Sequence, residues 1–120
     1  MNQQPMEQHM ISLYVDIDDT LVKWKDIIEG RLAQDWEVNH DVLKLINLWH
    51  ENSIGPITIW SSGGYNYAMV WANRLIPSHI QYAVASKSPL IASPTSVYID
   101  DMPWETFKPN TIHPNELRCL

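Results

Sequence analysis

Cysteine is almost missing from this 120-residue chain, and the single one, Cys119, stands next to the C-terminus. One thiol builds neither a disulfide framework nor a cysteine metal site within one chain. It reads as a free thiol on a loose end. Basic residues are scarce too: 8 Lys and Arg face 14 Asp and Glu, a formal charge of −6, and no basic run occurs. Duplex nucleic acid is therefore disfavoured as a partner, because binding it rests on clustered cations. No apolar run approaches the roughly 20 residues of a membrane helix. The polar first ten residues lack the cationic start and apolar stretch of a secretory leader. Repeats and low-complexity segments are absent as well. The expectation is a soluble protein of a reducing cytoplasm.

What is present is material for a core. Hydrophobic residues make up 45%, and the length suits one domain and is too short for two. Residues 1–10 read as a flexible tail, and 11–120 as the domain. Ile-Ser-Leu-Tyr-Val, 11–15, is an apolar strand that stops at Asp16. Val22 and Trp24 alternate with lysines and Glu29-Gly30 suits a turn, so 22–38 is expected to form a flap-like hairpin. Asn39 suits an N-cap, and Val42, Leu45, Ile46 and Trp49 then fall at helical spacing, which predicts a helix over 40–51. Gly55-Pro56 breaks it. A second strand, 57–60, ends at Ser61. Gly63-Gly64 leads into a second helix with Ala68, Trp71 and Leu75 on one face, closed by Pro77. A third strand is expected over 81–85, a helical turn at 88–92, and a fourth strand over 96–99, ending at Asp100-Asp101. After Pro103 the chain reads as irregular, with Thr111-Ile112 suited to an edge strand.

Strands alternating with helices predict an α/β sandwich around a parallel sheet. Right-handed crossovers bring the C-terminal ends of such strands to one edge, where open α/β sheets place their sites. Each predicted strand ends at a polar residue suited to phosphate chemistry: Asp16 with Asp18, then Ser61, Lys87, and Asp100 with Asp101. Singly, an acidic turn, a capping serine and a surface lysine have ordinary structural explanations. Together, after successive strands, they describe a site. Two carboxylates 4 Å apart repel by about 4 kcal/mol at an effective dielectric of 20. A divalent cation among them relieves this, and a few hard oxygen ligands with room for water suit Mg²⁺. An ionised aspartate needs no base to attack phosphorus, so Asp16 is a candidate nucleophile. Asp18 can protonate the leaving oxygen if its pKa is raised. Lys87, the Ser61 hydroxyl and backbone N–H groups around Ser62 can stabilise charge on the phosphoryl oxygens.

The run Asp16-Ile17-Asp18-Asp19-Thr20 after a strand resembles the first motif of the haloacid-dehalogenase (HAD) superfamily. Ile57-Thr58-Ile59-Trp60-Ser61 resembles its second motif, Lys87 its third, and Ile99-Asp100-Asp101 its acidic fourth. The resemblance spans residues 11–101. It implies a three-layer sandwich around a mainly parallel, Rossmann-like sheet. It also implies a Mg²⁺-dependent phosphatase that hydrolyses a phosphate monoester through an aspartyl-phosphate. Asp16 would then be nucleophile and metal ligand, and Asp18 the general acid/base that gives its backbone carbonyl to the metal. Thr20 would shape the loop and, with Ser61 and Ser62, serve substrate binding. Lys87 would bridge nucleophile and phosphate, and Asp100 and Asp101 would complete the metal site. Asp19 stands where the family more commonly has glycine.

The 21–60 and 62–86 segments are consumed by the hairpin, two helices and two strands, so no cap domain is expected. Specificity toward a small phosphorylated substrate would come from the hairpin, from a second copy in a homo-oligomer, or from the substrate's own bulk. Trp24 and Trp36 read as packing between hairpin and core, with stacking on a base or sugar as the alternative. Two other functions fit the same residues: a receiver-like domain, and a catalytically idle phosphate-binding regulatory module.

Overall fold

A computed structural model describes residues 10–24, 36–88, 90, 95–102 and 110–119. Its centre is a five-stranded sheet of β1 (Ser12–Asp16), β4 (Ile57–Ser61), β5 (Ala83–Ser86), β6 (Ser96–Ile99) and β7 (Thr111–Ile112), in the order β5-β4-β1-β6-β7. Every adjacent pair is parallel. A separate antiparallel hairpin joins β2 (Val22–Trp24) to β3 (Trp36–Val38), aligning Trp24 with Trp36. The expected turn at Glu29-Gly30 lies outside the described residues, as do 89, 91 and 92 of the helical turn expected at 88–92.

Two helices follow the sequence signals closely. Helix α1 spans His40–Glu51, and the Asn39 side chain accepts from the Asp41 and Val42 N–H groups, satisfying two donors of its first turn. Its Val42, Ile46 and Trp49 are buried, a stripe at helical spacing. Helix α2 spans Tyr65–Leu75 and buries Ala68, Trp71 and Ala72. The backbone turns into α2 through Gly64, at φ 106° and ψ 170°, a conformation essentially reserved for glycine.

Alternation along the strands sorts the sheet into two faces. Leu13, Val15, Ile57, Ile59 and Ile99 join the buried faces of α1 and α2 in one core, with Leu117 beneath α1. Tyr14, Trp60 and Tyr98 stack on the other face, with ring centroids 4.7 to 5.8 Å apart. The connections β1–α1–β4 and β4–α2–β5 step in the same direction across the sheet. Right-handed crossovers therefore put both helices on the same side. The α/β architecture around a parallel sheet is as expected, while among the described residues both helices lie on one side of the sheet, so these elements do not make up the expected third layer. The C-terminal segment differs from the irregular chain expected, for Pro114–Cys119 form a 3-10 helix. Pro114 begins it, where proline's missing N–H costs nothing. No helix among the described residues is long and apolar enough to cross a membrane.

Candidate active site

Strand register alone assembles the site. Asp16 lies opposite Trp60, so Ser61 stands one step beyond it. Ser61 lies opposite Ser86, so Lys87 follows. Val15 lies opposite Ile99, so Asp100 stands beside Asp16. All parallel strands end at this edge, and there Asp16, Asp18, Asp19, Ser62, Lys87, Asp100, Asp101 and Met102 line a cavity of about 510 Å³. A larger cavity, about 810 Å³, opens at the opposite edge around Trp49, His50, Ile57, Tyr82 and Ala83. It has no carboxylate in its wall, so size does not choose the site; chemistry does.

Asp16, Asp100 and Asp101 each offer a carboxylate oxygen, and the three lie within 4.8 Å of one another. Three hard oxygen donors gathered this closely could hold a metal ion. Lys87 Nζ lies 3.7 Å from Asp16 Oδ1 and forms an ion pair with Asp100 Oδ2, both partners almost fully buried. Asp100 Oδ1 accepts from the Met102 N–H at 2.9 Å, which turns the chain away behind it.

This crowding is visible in the Asp16 carboxyl, whose pKa is pushed up from 3.8 to about 7. Burial is the main cause, followed by repulsion from Asp100, with Lys87 pulling the other way. Asp101 is raised too, again chiefly by burial, with Asp100 adding to it.

Two of the three residues expected to bind substrate lie beneath the cavity wall. Thr20 is fully buried. Its hydroxyl stands 3.3 Å from Asp16 Oδ2 and 3.4 Å from Asp101 Oδ1, and it accepts from the Asp101 N–H at 3.2 Å. It therefore ties the loop after β1 to the loop after β6. Ser61 is buried, with Oγ accepting from the Gly63 N–H at 2.9 Å. Its carbonyl accepts from the Lys87 and Gly64 N–H groups, fixing both loops. Of the three, Ser62 lines the cavity.

Asp18 is held in a way the sequence did not signal. Its Oδ1 accepts from Trp24 Nε1 at 2.8 Å and from the Tyr67 hydroxyl at 2.6 Å. The Tyr67 pKa is pushed up to about 12 by burial and then by this bond, so the phenol keeps its proton and donates. Trp24 and Trp36 pack edge-on against Trp71, and the Arg74 guanidinium lies 4.7 Å from the Trp36 ring centroid. The hairpin tryptophans thus pack against α2. Contacts between a hairpin and a distant helix leave no local pattern in a sequence. Asp19 also lines the cavity, at φ 57°. That left-handed conformation favours glycine and tolerates Asp, which is the physical reason a glycine suits this position.

Neither the protein-family models, nor the characterised proteins, nor the solved structures give a match to this chain.

Proposed function

We propose that the chain is a Mg²⁺-dependent phosphatase of the haloacid-dehalogenase kind that hydrolyses a phosphate monoester through an aspartyl-phosphate on Asp16. The observation that carries this reading is a buried Asp16 flanked by Lys87, Asp100 and Asp101 in one cavity at the C-terminal edge of a parallel sheet. Asp16, Asp100 and Asp101 would hold the cation, with the Asp18 backbone carbonyl as a further ligand. The ion, when bound, offsets the negative charge gathered on carboxylates and phosphate.

The chain's own groups then divide the chemistry. Lys87 fixes the Asp16 carboxylate and draws in the dianionic phosphoryl group. Ser62 and the backbone turning through Gly63-Gly64 face its oxygens. A carboxylate oxygen of Asp16 attacks phosphorus, the bond to the ester oxygen breaks, and Asp18 gives that oxygen a proton. Water then attacks the same phosphorus and gives a proton to Asp18, and the bond to Asp16 breaks, releasing phosphate. With the site open at the sheet edge, small phosphorylated metabolites are the substrate class to survey.

The test is phosphate release from a panel of phosphorylated metabolites and p-nitrophenyl phosphate, with Mg²⁺ and with chelator, for wild type and Asp16→Asn. Turnover that needs Mg²⁺ and vanishes in the variant is expected. Wild-type turnover in Asp16→Asn overturns the mechanism. Stable phospho-protein without turnover identifies a receiver-like domain instead.

A further inference from the structure

Asp18 sits in the turn after β1, where a side chain of its length is ordinarily free to rotate. Here two donors from two other elements converge on one of its oxygens. Trp24 Nε1 approaches Oδ1 from the hairpin and the Tyr67 hydroxyl from α2, at 2.8 and 2.6 Å. Each donor is anchored in turn. The Trp24 ring meets Trp71 edge-on at 5.8 Å between centroids. The Tyr67 ring lies against the Ser61–Gly63 turn so closely that a Cβ on Gly63 would come 3.2 Å from its Cδ2 and 3.2 Å from Ser61 Oγ. One ring thus touches the turn that carries Ser62, which lines the cavity, while its hydroxyl holds the Asp18 carboxylate.

We infer that Tyr67 and Trp24 are positioning residues for Asp18: by occupying Oδ1 they leave Oδ2 as the oxygen that exchanges a proton with the leaving group and then with water. This rests on the hydrolytic reading above and deepens it. A proton donor must lie within hydrogen-bond reach of the oxygen it serves, and a misplacement of about 1 Å is enough to cost on the order of a hundredfold in rate. A carboxylate on an unsupported turn would sample that position only part of the time. The aromatic clamp holds it there, and the glycine at 63 leaves room for the clamp to close.

Leaving-group dependence separates positioning from general damage. p-Nitrophenolate departs without a proton, whereas phenolate from phenyl phosphate benefits from one. In Tyr67→Phe and Trp24→Phe, kcat/KM for phenyl phosphate is expected to fall about tenfold or more, and for p-nitrophenyl phosphate clearly less. Asp18→Asn should show the same bias, more strongly. A readout free of activity accompanies this. The Trp24 indole N–H resonance, assigned by its loss in Trp24→Phe, should move upfield in Asp18→Ala. An active wild type whose two clamp variants lose both esters equally, or neither, overturns this inference alone. So does an indole resonance that stays in place. A wild type inert toward both esters overturns the hydrolytic reading and this one with it.

Discussion

Lys87 and Asp100 form a buried ion pair although the strands they follow, β5 and β6, are separated in the sheet by β4 and β1. The ammonium group also lies 3.7 Å from Asp16 Oδ1, so one cation serves the ends of three strands. Removing one member of a buried pair leaves the other charge uncompensated, at a cost of about 3–5 kcal/mol. Lys87→Met is expected to lower the melting temperature of the metal-free protein by roughly 10 °C or more and to abolish turnover. Saturating Mg²⁺ should recover part of the stability and none of the activity. A melting temperature equal to wild type in chelator would show that the pair contributes nothing in solution.

Asp16→Asn is expected to separate function from stability in the opposite way. The carboxylate is buried among like charges, so at pH 8 its ionised form weakens the metal-free fold. A neutral amide of the same shape removes that repulsion. Thermal unfolding in chelator at pH 8 should therefore show the variant more stable than wild type. Hydrolysis should fall by on the order of 10³ or more.

Asp16, Ser61, Lys87 and Asp100 were legible in the sequence because each ends or directly follows a short strand, and parallel pairing with right-handed crossovers leaves such residues one edge to occupy. Helix α1 was legible because Asn39 and the Val42, Ile46 and Trp49 stripe agree. The clamp on Asp18 was not legible. Trp24 and Tyr67 belong to elements whose mutual placement depends on how the hairpin docks on α2, through Trp24, Trp36 and Trp71, and no periodicity encodes docking. Thr20 could be placed in the loop from its position, but that its hydroxyl ties Asp16 to Asp101 depends on two loops meeting. Pro114 interrupted the pattern of a strand or α-helix and so concealed the 3-10 turns that bury Leu117.

Asp19 offers a test of local strain. Its φ of 57° disfavours side chains with a Cβ, and its charge adds to the field that raises Asp101. Both Asp19→Gly and Asp19→Ala remove the charge, so the difference between them isolates the backbone. The glycine variant should be the more stable of the two by about 1 kcal/mol, read as a melting temperature higher by several degrees. Equal melting temperatures would place the residue in an ordinary conformation.

The pH dependence of metal binding follows from Asp16 with a definite sign. An aspartate in the unfolded chain titrates near 3.8, whereas in the metal-free fold this one titrates near 7. Between those values the folded state holds a proton that the unfolded state has lost. The stabilisation from that proton is complete below about pH 4 and disappears as pH rises through about 7. Metal-free protein should therefore lose stability across this window as far as Asp16 is concerned. A divalent cation binds the deprotonated carboxylate, so it competes with the proton at low pH and replaces it at high pH. The rise in melting temperature on adding Mg²⁺ is expected to be small at pH 5 and large at pH 8, and the apparent affinity should tighten over the same interval. In Asp16→Asn this dependence should weaken, because one of the two raised carboxylates is gone. Differential scanning calorimetry with chelator and with Mg²⁺ at both pH values decides it: a metal-induced shift as large at pH 5 as at pH 8 would mean that Asp16 is not a ligand.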